Sequence, residues 1–242
     1  MPIAAVTAMP VMNVLDPLRG VLGFTAATVL IPLVLAPMRF RSAQRAEDMA
    51  EEAKSLAKIS KVMYEQEEAD REAKASACGW KLLLSNPKYA LFACADSGKK
   101  LLVAFQGTAA RAGLAHDAMI LFNLNEFMPL VEEVIDEVKT VVKQTPHSDI
   151  IVTGHSLGGA LAVQLAKSLT QEGSFRRVSG HVFNPGSSWD FDKYLTEERL
   201  EGITAHHVLG DILSAGWSKS KMVCYKAKHP NPHALANFIG FM

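Results

Sequence analysis

The residues that promise chemistry sit at the centre of the chain, in Gly154-His155-Ser156-Leu157-Gly158. This is a hydroxyl held between two glycines. A β-branched run, Asp149-Ile150-Ile151-Val152-Thr153, leads into it, and Leu157–Leu169 leaves it with helical spacing. A sharp strand-to-helix turn of this kind lifts the serine oxygen out of a sheet and holds the residue in a strained backbone conformation. Side chains at the flanking positions would collide in so tight a bend, hence Gly154 and Gly158. Gly159 and Ala160 let the departing helix approach the sheet closely. The free N–H groups and positive dipole end of that helix face a developing oxyanion. The pattern points to nucleophilic attack by Ser156 on an acyl carbonyl.

A serine hydroxyl is a weak nucleophile until a base takes its proton, so a histidine must reach it. Eight histidines compete for the role. His155 adjoins the serine, and its ring should point away from the serine oxygen. α/β-Hydrolases place Ser, then Asp or Glu, then His along the chain, which sets His116 and His147 aside. His181 falls in a strand-like run, and His206 and His207 fall in or near another. His229 and His233 remain, in the Pro-broken loop His229-Pro230-Asn231-Pro232-His233. For the acid, Asp211 follows the strand-like run Thr204–Leu209 after Gly210, at the end of a sheet strand where this fold supplies it. Asp190, Asp192 and Glu201 lie further from any expected strand end. A second oxyanion donor belongs in a loop after an earlier strand. Leu101–Phe105 ends in Gln106-Gly107-Thr108, which offers a glycine for close backbone approach and a hydroxyl for support.

Positioning these groups requires a particular alternation of elements. Ser42 to Ala77 reads as one long helix, with Leu56, Ile59 and Met63 on its apolar face. Trp80–Leu84, Ala90–Ala95 and Leu101–Phe105 are strand-like, with turn chemistry at Asn86-Pro87 and Asp96-Ser97-Gly98 between them, which predicts an antiparallel meander. Phe127, Leu130, Val131, Val134, Ile135, Val138 and Val142 mark an amphipathic helix. After it, strands at Ile150–Thr153, Val178–Phe183 and Thr204–Leu209 alternate with helical segments. The expected fold class is therefore α/β: an α/β-hydrolase fold whose central sheet is mostly parallel, with an antiparallel N-terminal meander and helices on both faces.

Bulk properties narrow the partners. With 25 basic and 25 acidic residues the formal net charge is zero, which disfavours a nucleic-acid partner, since that needs a basic face. Cys78, Cys94 and Cys224 lack the paired spacing of a zinc site or a disulfide framework, and three free thiols fit a reducing compartment. The N-terminus is different. From Gly20 to Met38 no residue is charged, and nineteen residues at helical rise span about 28 Å, close to the ~30 Å hydrocarbon core. Arg39, Arg41 and Arg45 follow, which orients the main domain to the cytoplasmic side. Residues 1–41 thus read as a hydrophobic segment able to anchor the chain in a membrane through residues 20–38, and residues 42–242 as the catalytic domain. A cleaved signal peptide and an apolar hairpin packed on the domain are the rival readings of that segment.

The chain resembles the class 3 lipases. Val103-Ala104-Phe105-Gln106-Gly107-Thr108 is similar to that family's strand ending in an oxyanion element, and Gly154 to Ala162 to its nucleophile segment. Asp211-Ile212-Leu213 resembles its acid motif, and His233-Ala234-Leu235-Ala236-Asn237-Phe238 its terminal histidine motif. The resemblance implies a triad of Ser156, Asp211 and His233. It also implies an oxyanion hole from the backbone N–H groups of Thr108 and Leu157, with the Thr108 hydroxyl assisting. Two departures stand out: Gln106 where the family usually has Arg, and Asn184 where it usually has Gly.

The resulting expectation is a serine hydrolase cleaving carboxylic esters of lipids through an acyl-enzyme, with neither metal nor organic cofactor. Ala109–Phe122 is expected to form either a lid over an acyl pocket or part of the core. Acyl transfer or peptide cleavage by the same three residues is the rival enzymatic reading, and a membrane-anchored pseudohydrolase that binds lipid the non-enzymatic one.

Overall fold

A computed structural model of the chain describes residues 44–45, 50–96, 98–108, 127–144, 149–186, 202–211, 213–214 and 221–239. Its strands are β1 Gln44–Arg45, β2 Trp80–Ser85, β3 Tyr89–Cys94, β4 Lys100–Phe105, β5 Asp149–His155, β6 Arg177–Phe183, β7 Ile203–Val208 and β8 Lys221–Tyr225. Its helices are α1 Glu51–Val62, α2 Glu68–Ser76, α3 Met128–Gln144, α4 Leu157–Glu172 and α5 Ala236–Ile239. The strands form one sheet in the order β1-β8-β7-β6-β5-β4-β3-β2. Pairing is antiparallel from β2 to β4 and parallel from β4 through β8 to β1. This is the mixed sheet of an α/β-hydrolase, and its parallel strand ends present the loops that carry chemistry.

Alternation along each strand divides the core in two. Leu101, Val103, Phe105, Ile150, Val152 and Val182 face one side, packed with the apolar faces of α3 and α4. Leu102, Ala104, Ile151 and Phe183 face the other, packed with Leu56, Ile59 and Met63 from α1 and its end and Phe238 from α5. On β2 a register irregularity between Leu82 and Leu84 breaks the period. Leu82 therefore packs on one face and Leu84 on the other, while Leu83 is left exposed. A buried bond of 3.0 Å between the hydroxyls of Ser60 and Thr153 pins α1 to β5.

The single helix expected over Ser42–Ala77 is not what forms. Gln44–Arg45 pairs with β8, α1 ends at Val62, and α2 starts only at Glu68. The break has a tertiary cause. Arg71, only 4% exposed, donates from Nε to the Glu65 carbonyl at 2.8 Å and from Nη1 to the Asn86 carbonyl at 2.7 Å. The first of these bonds needs a Glu65 carbonyl free of helical pairing. The turn also sends Tyr64 toward the end of β5. A second difference is β8, a short run between charged residues that the sequence reading did not assign.

Among the described residues no helix is long and apolar enough to cross a membrane. The expected anchor at residues 20–38 and the expected lid at 109–122 lie outside the described residues, as do His116, His147, Asp190, Asp192 and Glu201.

Candidate active site

The site assembles at the junction of β5 and α4. Ser156 takes φ 58° and ψ −127°, a conformation that costs a non-glycine residue about 1–3 kcal/mol. Surrounding contacts enforce it: Ser156 N–H donates to the Phe183 carbonyl at 3.1 Å, and its own carbonyl accepts from Gly186 N–H at 3.0 Å. The flanking glycines are required by space. A Cβ on Gly154 would lie 2.8 Å from the Gly159 nitrogen, and one on Gly158 would lie 2.5 Å from the Phe105 carbonyl oxygen.

His233 arrives from the loop before α5. Its Nε2 lies 2.8 Å from Ser156 Oγ, and its Nδ1 lies 3.1 and 3.0 Å from the two Asp211 carboxylate oxygens. Because a carboxylate only accepts, Nδ1 carries the proton and Nε2 is left to accept from the serine hydroxyl. Asp211 is sealed and His233 more open, with side chains 1% and 19% exposed respectively. Burial pushes the Asp211 carboxyl upward. Hydrogen bonding and charge from His233, with the Ser214 hydroxyl at 2.7 Å and Leu213 N–H at 3.1 Å, outweigh that and hold it below the usual carboxylate range.

Asn237 shapes the base's loop. Its Oδ1 accepts from Lys228 and His229 N–H, both at 2.8 Å, and its Nδ2 reaches the carbonyls of Asn231, Pro232 and Ala234. His229, the rival candidate, has Nδ1 engaged by Asn231 N–H at 3.1 Å within that same loop. Of these two histidines, which sequence order left together, His233 is the one whose ring meets Ser156 Oγ, at 2.8 Å.

The other expected residues stand nearby. Gly107 follows β4, and a Cβ placed on it would lie 3.4 Å from Ser156 Cβ, which sets the Gly107–Thr108 segment beside the nucleophile. The Thr108 Oγ1 is buried without a hydrogen-bond partner among the described residues. Such an orphan hydroxyl suits a group that meets its partner only when substrate is present. Leu157 is the first residue of α4, where a helical N–H has no intrahelical acceptor. No group of three or more His, Cys, Asp or Glu that could hold a metal occurs among the described residues.

Sequence reasoning set His155 aside, yet its ring is part of the assembly. Nδ1 lies 3.0 Å from the Tyr64 hydroxyl and Nε2 2.7 Å from the His233 carbonyl oxygen. No local pattern marks Tyr64, which is 91 positions away from its partner.

With this geometry established, the comparisons fall into place. Residues 91–207 match the model of the family described as Lipase (class 3). Over this stretch the chain is similar to the class 3 lipases. The match spans β4, Gly107-Thr108 and the nucleophile elbow but ends before Asp211 and His233, so those two rest on geometry and chain order. A fungal lipase shares 13% identity with the chain, covering 76% of it and 81% of that protein at a TM-score of 0.50. A fungal lipase–inhibitor complex, described in terms of interfacial activation, shares 18% over 64% of this chain and 69% of its own at 0.50. The lipase of Rhizopus microsporus var. chinensis shares 19% over 66% and 68% at 0.48. Among curated proteins, none matches the chain in sequence. The family match and these structures agree on an α/β-hydrolase fold like that of the fungal lipases.

Proposed function

We propose that the chain hydrolyses carboxylic esters of lipids through a covalent acyl-enzyme on Ser156. The observation that carries this reading is the continuous hydrogen-bonded line Asp211–His233–Ser156, at 3.0 and 2.8 Å, on a strained elbow. His233 Nε2 takes the serine proton as Oγ attacks the ester carbonyl. It then gives that proton to the departing alkoxide, so an alcohol leaves and an acyl-serine remains. Water repeats the sequence, its proton passing to Nε2 and then back to Oγ as the carboxylic acid departs. Asp211 keeps the imidazole in the reactive tautomer and stabilises the imidazolium. The N–H groups of Thr108 and Leu157, with the orphan Thr108 hydroxyl, receive the oxyanion.

A lipid as the acyl donor is supported by the family and by the apolar, uncharged run at residues 20–38, which would hold the site near acyl chains. Reaction with a fluorophosphonate probe tests the chemistry: the chain is labelled and Ser156→Ala is not. An unlabelled but folded wild type would leave a lipid-binding pseudohydrolase in its place. Turnover of acylglycerols and phospholipids against short p-nitrophenyl esters tests the substrate class. Recovery of the chain in the membrane fraction, lost when residues 1–41 are removed, tests the anchor.

A further inference from the structure

The turn after β6 opens with Asn184, one of the two non-glycine residues with positive φ among the described residues. We propose that Asn184 is a positioning residue for the reaction, its carboxamide locking the loop of the acid to the loop of the base. The inference rests on the assignment of Ser156, Asp211 and His233 given above.

Asn184 is completely buried and takes φ 40°, in the left-handed region that asparagine tolerates better than other non-glycine residues. Its backbone N–H donates to the His206 carbonyl at 2.7 Å, which fixes the turn against β7. Its side chain then reaches two separate loops. Oδ1 accepts from Val208 N–H at 2.9 Å, and Nδ2 donates to the Pro232 carbonyl at 2.9 Å. Val208 is the last residue of β7, and its carbonyl accepts from Asp211 N–H at 3.1 Å. Pro232 immediately precedes His233. One planar group therefore stands one peptide from the base and one turn from the acid. The backbone of the same turn holds the nucleophile, through Phe183 and Gly186.

The chemistry at position 184 is narrow. The site needs an acceptor facing an N–H, a donor facing a carbonyl, and a residue that accepts positive φ. Glycine keeps the turn and loses both bridges. Aspartate keeps the acceptor but turns a charged oxygen toward the Pro232 carbonyl. Only an asparagine-sized amide does all three, and the Pro232 carbonyl shares a second donor, Asn237 Nδ2, at 3.1 Å.

The test compares wild type with Asn184→Gly and Asn184→Asp. Its readouts are p-nitrophenyl ester kinetics, the rate of fluorophosphonate labelling, and the low-field proton resonance of the Asp211–His233 hydrogen bond. Asn184→Gly is expected to keep its circular dichroism spectrum and KM. Its kcat and labelling rate should fall by roughly 10–100-fold, in keeping with displacement of reacting groups by less than about 1 Å, and the low-field resonance should broaden or disappear. Asn184→Asp should lose at least as much. It also carries the test if the glycine variant does not fold, since it keeps the acceptor and replaces the donor by an oxygen that repels the Pro232 carbonyl. Wild-type kcat in either folded variant overturns the proposal, as does a rise in KM at constant kcat with the resonance intact. If wild type itself is never labelled, the hydrolase reading is what fails. A resonance lost in Asn184→Gly then still assigns the positioning role, and one retained removes it.

Discussion

The ring of His155 donates from Nε2 to the carbonyl oxygen of His233 at 2.7 Å, so the residue before Ser156 grips the backbone of the histidine that meets Ser156. The carbonyl can only accept, which fixes the tautomer: Nδ1 of His155 is unprotonated and accepts from the Tyr64 hydroxyl at 3.0 Å. Burial first, then the neighbouring His233, push the His155 imidazole down to about 3, so it stays neutral at ordinary pH. Neutrality matters because the two rings are 4.9 Å apart. A second positive charge there would oppose the imidazolium that the proposed mechanism forms on His233.

Removing the hydroxyl that orients this ring should therefore weaken both fold and turnover. Tyr64→Phe leaves a buried imidazole nitrogen without its donor, at a cost of about 1–3 kcal/mol. The thermal midpoint should drop, and kcat should fall by roughly tenfold through loosening of the His233 loop. An unchanged midpoint together with an unchanged kcat would show that the Tyr64–His155 bond supports neither.

The two histidines of the 229–233 loop should separate cleanly. His233→Ala is expected to cut turnover by about 10⁴–10⁶, by analogy with removal of a catalytic base elsewhere. His229→Ala removes an acceptor for Asn231 N–H rather than the ring that meets Ser156, so kcat should stay within roughly tenfold of wild type. Steady-state kinetics on a soluble ester decide the matter, and a reversed ranking rejects His233 as the base.

Asn237 is a buried hub whose amide holds two N–H groups and three carbonyls. Asn237→Ala should destabilise the chain by about 2–4 kcal/mol, because several buried backbone groups lose partners together. Urea midpoints measure this. A shift below about 0.5 kcal/mol would mean that water or backbone rearrangement replaces the amide.

Acid should destabilise the fold well before its carboxylates titrate. Burial is the main cause that lowers His155 and His206 to about 3 and His207 to about 4, from an unfolded value near 6.5. Their folded values lie below the unfolded one, so the unfolded chain binds more protons once pH falls under about 6.5. Stability is therefore retained above that pH and declines through the window down to about 4 and 3. The slope is roughly 1.4 kcal/mol per pH unit for each proton taken up. Asp211, held low in the fold, extends the loss further into acid. Urea midpoints at successive pH values should show this decline, and a flat profile between pH 6 and 4 would contradict it. His206→Gln should make the slope shallower.

How much could be read in advance follows from the range of each interaction. The elbow was legible because its requirements are local: glycines where a Cβ has no room, a β-branched run before them and a helix after. The strand and helix positions from Trp80 to Val208 follow from short-range periodicity for the same reason. Chain order in this fold, a one-dimensional constraint, pointed to Asp211 and narrowed the histidines to His229 and His233, and the resemblance to class 3 lipases singled out His233. The single helix over Ser42–Ala77 failed because its break depends on carbonyls and rings remote in sequence, reached by Arg71 and Tyr64. Strand β8 escaped because a five-residue run carries too little period to announce itself.

The amino-acid sequence by itself thus determined the glycine-flanked elbow at Ser156, the alternation of strands and helices, and the chain order of Ser156, Asp211 and His233. Tertiary structure brought His233 to Ser156, turned Asn184 into a bridge, and joined Tyr64 to His155. Those outcomes depend on hydrogen bonds a few ångströms long between residues tens of positions apart, and such distances exist only once the sheet has closed its loops together.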